Sequence, residues 1–176
     1  MDPKIKKSRV EYWPEILDLY RLVAQVSGKL ARTSEEISGE YVKTFLKKSH
    51  ETGLSLIAFE GMNIVGEIHA YKLEPNVFSH VLSELTIAVH PDFQGKGIGK
   101  ALFSAFLTEV ETRRPDIFRV ELISRESNKK AIQFYSSLGF QQEGRFEKRI
   151  DSGNGTFEAD IPMAWTNPGF KHAKNK

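Results

Sequence analysis

Cysteine is absent from the 176 residues, so disulfides, thiolate-bound metals and a cysteine nucleophile are excluded, and any chemistry falls to other groups. Net charge is nearly absent too. The 25 Lys and Arg residues face 23 Asp and Glu, leaving +2, without the basic excess of a general nucleic-acid binder. No stretch approaches the ~18 apolar residues that would cross a bilayer, and Met1 to Arg9 is charged, without the apolar core of a secretory signal. These absences predict a cytoplasmic protein with neither nucleic acid nor membrane as partner. What is present is ordinary for a folded chain: 40% hydrophobic residues, 27% charged and seven prolines. The length suits one domain that buries roughly 70% of the surface its unfolded form exposes.

Periodicity divides the chain into elements. Ile5 to Val10 reads as a short edge strand. The apolar series Ile16, Leu17, Leu19, Tyr20, Leu22, Val23, Val26 recurs at helical spacing, with Pro14 suited to the first turn and Gly28 to the exit. Thr33-Ser34-Glu35-Glu36 has the form of a capping box and predicts the start of a second helix through Ile37, Tyr41, Val42, Phe45 and Leu46. Leu54 to Phe59 and Ile64 to Leu73 read as strands joined at Gly61-Met62-Asn63, with a bulge expected near Gly66. His80 to His90 is a long apolar run, as a buried central strand requires.

Ala101, Leu102, Phe103, Phe106, Leu107 and Val110 trace the buried face of the next helix, and Ile117 to Ser124 is a further strand. A helix from Asn128 to Leu138 stops at Gly139. Phe140 to Ile150 and Thr156 to Trp165 form a closing hairpin around Ser152-Gly153-Asn154-Gly155. The order β-α-α-β-β-β-α-β-α-β-β predicts an α/β fold, a single mixed central sheet with helices on both faces. The domain is expected over 1–166, with 167–176 a flexible basic tail.

Three glycines alternate at 95, 97 and 99, after a strand and before a helix. In that context backbone amides converge on an anion, glycine allows close approach, and the helix dipole favours negative charge, so a phosphate or pyrophosphate is the expected ligand. A Walker loop needs Ser or Thr after Gly-Lys, and Gly99-Lys100 is followed by Ala101, while no glycine stands at 94. The GxGxxG dinucleotide fingerprint is not matched either.

The segment Leu85 to Leu102, with Gln94, Gly97 and Gly99 in the places of the Gln/Arg-x-x-Gly-x-Gly/Ala core, resembles the signature of the GNAT acetyltransferases. A second signature is matched by Asn128, Ala131-Ile132, Tyr135 and Gly139-Phe140, and the resemblance covers about residues 4 to 165. Gln142-Glu143-Gly144 and Asp160-Ile161-Pro162-Met163 are similar to the small-molecule branch, including amino-acid and phosphinothricin-type acetyltransferases.

The resemblance implies acetyl-CoA as cosubstrate, no metal, and transfer of the acetyl group to a primary amine by direct attack in a ternary complex. Cofactor contacts are implied for Leu85, Ile87, Ala88 and Val89, for Gln94, Gly95, Lys96, Gly97, Ile98, Gly99 and Lys100, and for Asn128, Ala131, Phe134 and Tyr135. It makes Tyr135 the acid that protonates the departing thiolate and gives the Val89 amide the task of polarising the carbonyl. Tyr135 also suits an apolar helix face, and Asn128 suits an N-cap.

Glu84, a carboxylate in an apolar run ten residues before Gln94, is the first candidate for the base, with His80, His90 or a water chain as alternatives. The acceptor is expected between the first two helices and their connector, Ser27 to Tyr41, with the loop near Pro75 and the last hairpin. Arg32, Glu35, Glu36 and Asp160 are its candidate polar contacts. The expected acceptor is a small amine: an amino acid, an analogue or a polyamine. A protein N-terminus or lysine is the next class, and a homodimer is allowed for. A non-catalytic acyl-CoA-binding module is the competing reading, but such a module has no use for a proton donor at Tyr135.

Overall fold

The computed structural model describes residues 3–26, 28, 30–153 and 155–171. Its strands are β1 (Lys4–Lys7), β2 (Leu54–Glu60), β3 (Asn63–Tyr71), β4 (Val81–Val89), β5 (Arg119–Arg125), β6 (Gln141–Gln142), β7 (Phe146–Asp151) and β8 (Phe157–Thr166). They form a sheet in the order β1-β2-β3-β4-β5-β8-β6, with β7 also pairing β8. Every neighbouring pair is antiparallel except β4 and β5. Those two are parallel because the chain crosses over between them through a helix, α3 (Ile98–Arg113). The sheet is therefore mixed, as the element order predicts.

Each face of the sheet has its own helices. α1 (Trp13–Ala24) buries Ile16, Leu19, Tyr20 and Val23, and α2 (Gly39–Thr52) buries Val42, Phe45 and Leu46; both pack with Ile57 and Ala88 on one face. On the other face α3 buries Leu102, Phe103 and Phe106 against Leu56, Ile68, Val120 and Met163, and α4 (Lys129–Ser137) adds Ile132, Phe134 and Tyr135. Each fully buried Leu, Ile or Phe contributes about 1.5–3 kcal/mol. The expected bulge lies beside Gly66, where the β2–β3 register shifts between Ala58 and Phe59. A Cβ on Gly66 would meet Leu102 Cδ1 at 2.8 Å, so glycine is what lets α3 lie this close to the sheet.

Two expectations are corrected. The second helix does not start at the capping box. Thr33 N donates to the Glu36 carboxylate at 2.7 Å, but this closes an isolated turn; α2 begins at Gly39, where Ser38 accepts from Tyr41 N at 3.1 Å. Ser38 is itself a strong N-cap residue and is followed directly by the apolar face, whereas the earlier box is separated from it by the Ile37 anchor.

The second correction concerns the tail. Residues 167–171 are tied down: Asn167 is buried, donates through Nδ2 to the Ile117 carbonyl at 2.8 Å and the Arg114 carbonyl at 3.3 Å, and accepts from Gly169 N at 2.8 Å. Phe170 packs edge-on against Phe118. Asn167→Ala leaves buried carbonyls without their donor, and a loss of about 1–3 kcal/mol is expected in denaturant unfolding. Ser27, Lys29, Asn154 and residues 172–176, on which parts of the connector, hairpin and tail expectations fall, lie outside the described residues. Among the described residues no helix is long and apolar enough to cross a membrane.

Candidate functional site

β4 and β5 pair at only two positions, Val81 with Arg119 and Leu82 with Val120, and beyond them the strands part. The register on the other side of β4 fixes what faces the gap. His90 N donates to Val65 O at 2.9 Å, so the alternate rungs Glu67 with Ala88 and His69 with Thr86 are the hydrogen-bonded ones. The backbone NH groups of Ile87 and Val89 therefore point away from β3 and into the gap. The Val89 carbonyl points the same way and is held by Gln94 Nε2 at 3.0 Å.

The glycine loop stands at the end of this gap. Gly95 and Gly97 have φ of +74° and +86°, and a Cβ on either would meet nothing within 4 Å. Gly97 caps α3 without any side-chain hydrogen bond, and among the described residues the amides of residues 95–100 have no hydrogen-bond acceptor. Converging unpaired amides at the start of a sixteen-residue helix, with open space before them, fit a diphosphate. Ile98 is anchored in the core, Lys96 lies over the Phe93 ring at 4.9 Å, and Lys100 is exposed on the first turn without an ion pair among the described residues.

Ile87, Val89, Gln94, Gly95, Gly99, Phe134 and Tyr135 line a cavity of about 230 Å³ along this path. Leu85 packs into the core on the α3 side. Ala88 does not line the cavity: it packs among α1 and α2, and its amide belongs to the β3 ladder. Asn128 is the N-cap of α4, accepting from Ala131 N at 3.3 Å. That leaves its Nδ2 available and commits the Ala131 amide. Gly139, at φ +93°, ends the helix as expected.

Tyr135 is held by aromatic neighbours, with ring centroids 5.5 Å from Phe103 and 6.2 Å from Phe140. Burial pushes its phenol up to about 12, and the hydroxyl makes no hydrogen bond to a described residue. It is a protonated donor facing a cavity.

On the opposite face of β4 lies a second cavity of about 340 Å³. Its walls include Tyr20, Arg32, Glu36, Tyr41, His69, Tyr71, Glu84 and Thr86. Glu84 reaches it from a bulge in β4: the register shifts between His69 and Tyr71, and Glu84 has φ +55°, a left-handed conformation costly for a residue with a Cβ. The Arg32 guanidinium lies 4.5 Å over the Tyr41 ring. Burial pushes the Tyr41 and Tyr71 phenols up, Tyr71 further through the Glu84 charge.

Of the other sequence candidates, Glu35 and Asp160 do not line this cavity. His80 packs near Phe118, and His90 accepts from Asp92 N, so neither joins Glu84. Sequence reasoning missed Tyr20, Glu67, His69 and Tyr71. The available signal was two polar residues in a strand whose both faces are covered by helices.

The Acetyltransferase (GNAT) family model matches residues 13–140. The [ribosomal protein bS18]-alanine N-acetyltransferase of Salmonella typhimurium is 45% identical over 65 residues, 35% of this chain and 43% of that protein, so the chain spans under half the length of this relative. A GNAT-family acetyltransferase from Streptococcus pneumoniae shares the fold at a TM-score of 0.84 and 18% identity, over 93% of this chain and 99% of the other. A phosphinothricin acetyltransferase from Sinorhizobium meliloti, solved in complex with AcCoA, does so at 0.81 and 17%, over 100% and 94%. With the family model extending from α1 to the residue after the α4 cap, the chain belongs to the GNAT acetyltransferase family.

Proposed function

We propose that the protein is an acetyl-CoA-dependent N-acetyltransferase of the cytoplasm, acting on the primary amine of a small molecule. The carrying observation is that unpaired amides at the glycine loop and a protonated Tyr135 share one cavity, while Glu84 opens into a second cavity across the same strand. The S. meliloti structure, solved with AcCoA, supports this choice of cosubstrate. A volume near 340 Å³ suits a small amine.

The cosubstrate supplies the acetyl thioester. The amides of residues 95–100 hold its diphosphate, and Asn128 and Phe134 flank its arm. The NH groups of Ile87 and Val89 donate to the carbonyl oxygen as negative charge develops there, a preorganised arrangement that needs no solvent rearrangement. Glu84 meets the acceptor's ammonium in the second cavity, whose wall also carries Glu36. Once the amine has lost a proton, its nitrogen lone pair attacks the carbonyl carbon. The carbon–sulfur bond then breaks, the Tyr135 hydroxyl delivers its proton to the leaving sulfur, and the second proton shed by the attacking nitrogen returns through water to the Tyr135 phenolate.

The test is thiol release by the purified protein with acetyl-CoA and a panel of proteinogenic amino acids, putrescine, spermidine and a peptide beginning with alanine. One acceptor should gain one acetyl group per thiol released. Calorimetric binding of acetyl-CoA with no thiol release from any amine would leave a non-catalytic binder. The Salmonella relative, by its name, acts on an alanine of a ribosomal protein, which favours a second reading, acetylation of a protein N-terminus. Preference for the peptide over every free amine would select it.

A further inference from the structure

A buried, hydrogen-bonded polar cluster lies under the acceptor cavity, and the mechanism above does not use it. Glu67 is fully buried in the middle of β3. Its Oε2 accepts from the Tyr20 hydroxyl at 2.5 Å and pairs with His69 Nδ1 at 3.0 Å, while Oε1 accepts from the Ser55 hydroxyl at 2.6 Å. Three polar partners surround the one carboxylate, so both of its oxygens are satisfied although the residue is buried. Burial, and then the Glu67 charge, push the Tyr20 phenol far up, so it remains a donor. With Oε2 accepting, Nδ1 of His69 carries the hydrogen and Nε2 carries the lone pair.

The Phe45 ring stacks on the imidazole at 3.9 Å and 8° and fixes its plane. Nε2 has no partner among the described residues. Since among the described residues no buried side-chain nitrogen or oxygen is left unpaired, Nε2 opens into the cavity that His69 lines. His69 is also the cross-strand neighbour of Thr86, which precedes the Ile87 amide at the gap.

A carboxylate behind one nitrogen, a fixed tautomer and the other nitrogen facing the substrate cavity make up a general base with its orienting group. The geometry points to His69 as the catalytic residue that takes the proton from the acceptor's ammonium, with Glu67, Tyr20 and Ser55 as positioning residues. This rests on the acetyltransferase reading and divides the work at the amine: Glu84 balances the ammonium's charge, and His69 deprotonates it. An ammonium N–H bond breaks, its electron pair stays on nitrogen, and the proton goes to Nε2. The resulting imidazolium is neutralised by Glu67, and the proton leaves later to water through the cavity mouth. The other titratable or charged groups facing this cavity are Tyr20 from α1, Tyr41 from α2, Tyr71 from β3, Glu84 from β4, and Arg32 and Glu36 from the connector.

The experiment is the pH dependence of kcat/KM for wild type, His69→Gln and Glu84→Gln with the best amine of the panel, beside nitrogen-resolved imidazole spectra of the free wild-type protein. Wild type should lose activity as pH falls through the protonation of His69. His69→Gln should lower kcat about 10²- to 10⁴-fold with little change in KM, and its rate should keep climbing with pH as the free amine accumulates. Glu84→Gln should act mainly on KM and keep the acidic limb. The wild-type spectrum should show the Nδ1–H tautomer and a titration midpoint matching that limb, a readout that does not depend on any variant folding.

An acidic limb that keeps the wild-type midpoint in His69→Gln, or that is lost in Glu84→Gln, would overturn the assignment, as would an imidazole midpoint far from the wild-type limb. Absence of thiol release by wild type with every amine sinks the acetyltransferase reading itself, and the base with it.

Discussion

Tyr135→Phe lowers kcat about 10²- to 10⁴-fold while leaving affinity for acetyl-CoA, read by calorimetry, near the wild-type value. The separation follows from how the ring is held. Its contacts with Phe103, Phe134 and Phe140 are aromatic, so phenylalanine keeps the packing and removes only the hydroxyl. The hydroxyl makes no hydrogen bond within the described protein, so deleting it leaves no buried partner unsatisfied. Because burial pushes the phenol up to about 12, the donor stays protonated through the working range, and no alkaline loss of kcat below that value comes from Tyr135. An unchanged kcat in Tyr135→Phe would mean that the departing sulfur takes its proton elsewhere.

The second large effect is expected at Gly97. At φ +86° a β-branched residue is strained by about 1–3 kcal/mol, and its side chain would enter the open space in front of the unpaired amides. Gly97→Val should weaken acetyl-CoA binding by about 10- to 100-fold, since each tenfold corresponds to about 1.4 kcal/mol. Gly61 provides the control. It sits in the β2–β3 hairpin at φ +60° with equally open surroundings, so Gly61→Val carries similar backbone strain away from the loop. Equal losses of affinity in both variants would show that strain alone acts and that the loop does not hold the diphosphate.

Legibility in the sequence tracked the distance over which each feature is encoded. Gly95, Gly97 and Gly99 fall within five residues at a strand-to-helix junction, and Asn128, Tyr135 and Gly139 mark one helix from cap to stop. Such local spacing survives without a structure. The capping box misled because a Thr33–Glu36 pair stabilises a turn as well as a helix start, and only the packing of Ile37 decides between them. The Glu67 and His69 pair stayed hidden for a different reason. Polar residues alternating with Gly66, Ile68 and Ala70 look like the wet side of a strand. They are buried because α1, from 47 residues earlier, brings Tyr20 onto them. The bulge that turns Glu84 toward the acceptor cavity is a register shift against β3, and no neighbouring residue of β4 announces it.

The two-rung contact between β4 and β5 has a mechanical corollary. With so little pairing at the seam, the spacing of the halves is set from beneath by α3, whose Leu102, Phe103 and Phe106 belong to the core shared by Leu56 and Ile68 on one side and Val120 and Leu122 on the other. The helix acts as a keel, and the volume of its inward side chains dictates how wide the slot stands. Relatives with bulkier or slimmer residues at those keel positions would accept thicker or thinner acyl groups without any change to the residues that touch them.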